Sequence, residues 1–163
     1  MKDNELKRIK LDKIDRKILR DLQDNGRITN VELSKNAGIS APPCLRRVRA
    51  LEENGYITGY NARLDPQSLG FGLSVFAAIK LESQAESDLT KFEESCKQLD
   101  LVRECHMLSG EIDFLLRIVA ENWDEYQKFL TSELTAMENV TSVKTMPLVR
   151  SAKHEPGVPV SVD

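Results

Sequence analysis

The 163-residue chain lacks the marks of several large protein classes. No apolar run approaches the roughly 20 residues of a membrane-spanning helix, and the opening MKDNELKRIKLDKID has no apolar signal-peptide core. A cytoplasmic protein without membrane contact is expected. Its three cysteines, Cys44, Cys96 and Cys105, are too few and too unevenly spaced for a disulfide framework or a zinc site. Free thiols and no metal follow, and Cys105-His106 gives no ligand pair, because adjacent strand residues point to opposite faces. No Ser/His/Asp set, phosphate-loop glycine pattern or H-E-x-x-H occurs, so neither an enzyme nor a cofactor is expected.

The net charge of −3 argues weakly against a nucleic-acid partner until the chain is divided. Residues 1–60 hold 13 Lys and Arg against 9 Asp and Glu, an excess of +4, whereas residues 61–163 hold 10 against 17, or −7. A basic module joined to an acidic one is the simplest reading.

What is present centres on residues 28–56, ITNVELSKNAGISAPPCLRRVRALEENGY. Thr29 and Glu32 form a capping box ahead of Val31 and Leu33, and Gly38 supplies the positive φ at which that helix stops. A second helix runs from Ser40 or Ala41 to Asn54. At 100° per residue Ala41, Cys44, Leu45, Val48 and Leu51 fall on one face, while Pro42, Pro43, Arg46, Arg47 and Ala50 fall on or near the other. Ser40 would normally cap onto the amides two or three residues on, but these are prolines without an N–H, so its hydroxyl is spare. Two helices at a glycine corner also occur in ordinary helical domains, and Arg46, Arg47 and Arg49 can equally form a solvated face. The position of these arginines just after the helix's first turn favours insertion into a DNA major groove. Cys44 reads as a small buried apolar residue.

In chain order, residues 1–10 are a charged arm, read first as solubilising, whose Lys7, Arg8 and Lys10 could also reach phosphates. A buttressing helix at 12–24 carries Ile14, Ile18, Leu19 and Leu22. Residues 56–64 suggest a short strand or wing, and 61–70 a hinge. The second half reads as strand 73–81, helix 87–99, strand 101–108, a turn at Ser109-Gly110, strand 112–120, helix 123–137 with Trp123, Tyr126 and Phe129 as core, and strand 141–150. This βαββαβ order is ferredoxin-like, so the whole chain is α+β, with residues 1–60 as a winged helix-turn-helix domain and 71–150 as a second domain. Residues 151–163 remain as a tail. Helices on one face of such a sheet leave its other face for self-association.

The turn Leu108-Ser109-Gly110-Glu111-Ile112-Asp113 holds the chemistry of this half. Its glycine exposes backbone N–H groups suited to a carboxylate, and Glu111 and Asp113, on one side of a strand, suit an ammonium group. An α-amino acid fits both. A plain hairpin with two solvated acids fits the residue types as well.

The runs LDKIDRKILRDLQDNGRITNVELSKNAGIS, PCLRRVRALEENGYITGY and LSGEIDFLLRI together resemble the Lrp/AsnC family of feast/famine regulators over residues 11–150. The resemblance implies a DNA-binding transcriptional regulator whose second domain binds an amino acid, leucine, methionine or similar, and assembles homodimers toward an octamer. It implies DNA contacts by Ser40, Ala41, Pro42, Pro43, Arg46, Arg47 and Arg49 on double-stranded DNA. It further implies an effector site of Leu108, Ser109, Gly110, Glu111, Asp113, Trp123 and Met146 in a cleft between dimers. Pro147 departs from the family's usual apolar residue and, as a proline, belongs on a sheet edge or bulge. Two rivals remain: an amino-acid sensor acting through protein partners, and a small ferredoxin-like enzyme built on the second half alone.

Overall fold

Residues 10–162 are described by the structure, a computed structural model, and they fall into two units. One runs from the N-terminal side to Arg63 and takes in the chain from Lys153 onward, and the other is Leu64–Ala152. Lys7 and Arg8 lie outside the described residues.

The first unit holds helices α1 (Lys13–Asp24), α2 (Asn30–Ala37) and α3 (Ala41–Glu53). Asp12 and Asp15 open α1 by capping each other: each carboxylate accepts the other's backbone N–H, at 2.8 Å and 3.1 Å. Thr29 and Glu32 form the same box on α2, and Gly38 ends that helix at φ 75°. Ser40 precedes α3 with no side-chain cap bond, as two prolines in the first turn require. Ile18, Leu33, Ala37, Cys44 and Leu51 are the buried core, with Ile39 and Val48 packed on it.

Three features of this unit depart from expectation. Leu45 points out at 40% exposure, so the buried stripe of α3 is narrower than its apolar pattern, and Val31 on α2 is 63% exposed. Residues 57–65 contain no strand; no second strand occurs among the described residues of this unit, and a lone extended run has nothing to pair with. Tyr60 instead donates to Glu52 on α3 at 2.9 Å. The C-terminal residues group with this unit: Gln23 bonds Val158 in both directions at 2.9 Å. At Gly157, with φ 81°, a Cβ would collide with the Gln23 side chain.

The second unit runs β1 (Leu73–Leu81), α4 (Glu86–Lys97), β2 (Val102–Met107), β3 (Phe114–Ala120), α5 (Trp123–Phe129) and β4 (Val140–Pro147). The strands form one antiparallel sheet in the order β2-β3-β1-β4, the ferredoxin-like arrangement. Val75, Ala77, Ile79 and Leu81 alternate inward with Phe114, Leu116, Ile118 and Ala120, and Phe92, Cys96, Tyr126, Phe129 and Leu134 cover them. Pro147 ends the edge strand, where its missing N–H breaks no ladder.

The helix expected over 123–137 is interrupted. After Phe129 the chain widens into a π segment, Leu130–Leu134. Here the Thr131, Ser132 and Thr135 hydroxyls donate back to carbonyls of residues 127–131, competing with the regular ladder. Trp123 is 52% exposed and therefore not core; its ring meets Tyr126 edge-on, centroids 5.7 Å apart.

Candidate functional site

Helix α3 carries the first group of candidates. Ser40, Pro42, Arg46 and Arg49 are exposed, and Ala41, Pro43 and Arg47 are half-buried. Arg46 and Arg49 stand three apart, so they share one face, and neither forms an ion pair among the described residues. Arg47 is turned away from that face. Its Nη1 donates to Asp12 Oδ2 at 2.8 Å and to Asp15 Oδ1 at 2.7 Å. Hydrogen bonds to those two carboxylates, Asp15's first, raise the guanidinium's pKa above its usual range. The start of α3 is tied down by Asn30 of α2, whose side-chain N–H donates to the Ala41 carbonyl at 3.0 Å, while Asn30 Oδ1 is buried without a partner among the described residues. Sequence reasoning missed Asp12, Asp15 and Asn30. The Asp12-x-x-Asp15 spacing is itself a capping signal and marks two of them.

The second group surrounds the β2–β3 loop. Leu108, Ser109, Gly110 and Glu111 are exposed, and Gly110 holds φ 144°, open to glycine at no cost. Asp113 differs from expectation. Rather than standing beside Glu111 on a strand, it lies buried just before β3. Its Oδ2 accepts the Leu81 N–H at 2.7 Å, its Oδ1 accepts Gln84 Nε2 at 2.7 Å, and its own N–H donates to Ile79. The carboxylate fastens the base of the loop to the end of β1, with both oxygens engaged. Trp123 lies past the far end of β3, roughly 20 Å away by strand rise, so one chain does not bring it to the loop.

Met146 faces the side of the sheet away from the helices, opposite Phe76. There Phe76, Leu115 and Met146, with residues 147–150, line a shallow cavity of about 400 Å³. Beside it Arg117 holds Glu104 at 2.6 Å, and His106 stands 3.4 Å from the same carboxylate. Cys96, next to the Cys105 thiol and buried, is pushed far above the ordinary thiol range. Among the described residues no three potential ligands cluster around a metal position, and no helix is long and apolar enough to cross a membrane.

Comparison with known proteins decides what this pairing of units is. Residues 11–58 match the description "Winged helix-turn-helix DNA-binding" and residues 74–158 match "Lrp/AsnC ligand binding domain". The chain belongs to the Lrp/AsnC family. It is 54% identical over 146 residues to a leucine-responsive regulatory protein of Rhizobium meliloti, covering 90% of this chain and 94% of that one. The protein of the same name from Escherichia coli is 41% identical over 144 residues, 88% of each chain. Among solved structures, a transcriptional regulator of Neisseria meningitidis in complex with L-methionine superposes with TM-score 0.88 at 35% identity, covering 92% of this chain and 97% of that one. Escherichia coli AsnC gives 0.83 at 25% identity, over 93% and 100%. As a family member the chain is a transcription regulator with a helix-turn-helix DNA-binding domain and an amino-acid-binding domain, and its relatives are regulators, not enzymes.

Proposed function

We propose that the protein is a cytoplasmic, homo-oligomeric regulator that binds double-stranded DNA through α3 and responds to a small apolar amino acid, leucine or methionine. The observation that carries the effector reading is the likeness, over 92% of the chain, to a regulator whose structure was solved with L-methionine. Within this chain the Gly110 turn supplies exposed backbone N–H groups for the carboxylate and Glu111 supplies charge for the ammonium group. Asp113 holds the loop in place. Trp123 and Met146 stand away from the loop within one chain, so a site that uses all of them draws on more than one copy. Phe76, Leu115 and Met146 form the apolar centre of the sheet face that a second copy covers, giving a dimer that then pairs toward an octamer. The effector acts by binding one assembly better than another, since equal affinity for both would shift nothing.

A thermal-shift screen of the twenty amino acids tests this. A ligand at 100 times its dissociation constant adds about 2.7 kcal/mol of stability. One or two apolar amino acids should raise the melting temperature and shift the oligomer distribution in sedimentation. No shift with any of the twenty would remove the effector reading and leave DNA binding standing.

A further inference from the structure

We propose that Arg47 is a positioning residue that locks the groove-facing helix onto the start of α1, and that Arg46 and Arg49 carry the DNA contact in its place. The inference rests on the reading that α3 enters the major groove.

The geometry begins with a division of labour between two carboxylates. Asp12 uses Oδ1 to accept the Asp15 N–H, and Asp15 uses Oδ2 to accept the Asp12 N–H, which leaves each acid one oxygen. Arg47 Nη1 reaches both remaining oxygens, at 2.8 Å and 2.7 Å, so the two hydrogens on that nitrogen are both engaged. The capping box of α1 is thereby closed from another helix. The Asp15 side chain is only 10% exposed, and a charge so placed needs a partner. Residues three apart lie within about 60° on a helix, so Arg46 and Arg49 face one way together, while Arg47 is rotated about 100° from Arg46 toward α1. Anchoring residue 47 thus fixes the rotation of α3 about its own axis and with it the direction of the two exposed cations.

The test exploits opposite signs. Near a polyanion, removing an aspartate charge should tighten DNA binding if Arg47 is a free contact, because its guanidinium is released and a repulsion disappears. If Arg47 positions α3, the same change should weaken binding. The wild-type protein is used to select a duplex from a random-sequence pool, and affinities of full-length Arg47→Gln, Asp15→Asn, Asp12→Asn and the Arg47→Gln/Asp15→Asn double variant are measured on it across a salt series. Asparagine still caps a helix and Asp12 is half exposed, so Asp12→Asn keeps the test readable where Asp15→Asn does not fold. Expected is a loss of about tenfold for each single variant, with the double variant no worse than Arg47→Gln. The slope of log affinity against log salt should stay unchanged, since no phosphate contact is lost, whereas Arg46→Gln or Arg49→Gln should reduce it by about 0.9. Tighter or unchanged binding by the aspartate variants, with the slope reduced in Arg47→Gln, would overturn the proposal. Failure of the wild type to select any duplex would overturn instead the DNA reading beneath it.

Discussion

Two aspartates show how a carboxylate's surroundings decide what it does. Asp12 is held below its ordinary value of 3.8 first by the Asp15 backbone N–H, against the cost of burial, and then by Arg47. A depressed folded value stabilises the native state above the unfolded pKa and ceases to do so as pH falls through the folded one. The first unit should therefore lose this contribution progressively as pH falls from near the unfolded value of 3.8 through the depressed folded one, and Asp12→Asn should flatten that acid limb in a circular-dichroism titration. Asp113 works through neutral donors, the buried Leu81 N–H and the Gln84 side-chain amide. Asp113→Ala leaves the Leu81 N–H without a partner, at a cost of about 1–3 kcal/mol, read as a lower melting temperature. Were Asp113 chiefly a ligand contact, the alanine variant would melt like wild type and lose only the amino-acid response.

At the scale of elements, helix ends separate residues that hold the fold from residues free to act. Thr29 caps α2 with its side chain, whereas Ser40 precedes α3 without such a bond. Thr29→Ala should cost about 1 kcal/mol, and Ser40→Ala less than about 0.5 kcal/mol because there is no cap to lose. Chemical denaturation of the pair checks this, and equal losses would mean that Ser40 has a structural partner. The Ser40 contrast was legible in the residues, since two prolines remove the amides it would cap. So were the Thr29–Glu32 capping box, the glycine at Gly38 and all four strands, because periodicity and backbone limits are local. Less legible were features that depend on distant partners. That Arg47 meets Asp12 and Asp15 depends on packing between helices 35 and 32 residues apart. That Asp113 turns inward depends on Leu81 and Gln84 arriving from another strand end. The π segment arose from hydroxyls competing with the ladder, and helical periodicity alone runs straight through it. For the effector candidates, residue types named the loop, but Trp123 stands at the other end of β3, a separation set by the length of that strand.

The whole molecule joins a basic unit to an acidic one, and in the proposed reading the sheet face away from its helices is where assembly and sensing meet. Phe76, Leu115 and Met146 present apolar surface there, bordered by the Glu104–Arg117 pair. Apolar surface rimmed by charge favours a partner that buries the centre and meets the rim. Phe76→Glu places an acid at that centre without touching the helix-side core, since Phe76 alternates with the inward-facing Val75 and Ala77. The variant should keep its circular-dichroism spectrum and sediment as a smaller species. It should also lose at least tenfold in DNA affinity, because a single helix-turn-helix reads one half-site where a dimer reads two. The amino-acid response should disappear with the assembly if the effector site draws on several copies. A Phe76→Glu protein that remained assembled would move the self-association surface elsewhere. One that became monomeric yet still melted higher with leucine or methionine would confine the effector site to a single chain, around the Gly110 turn alone.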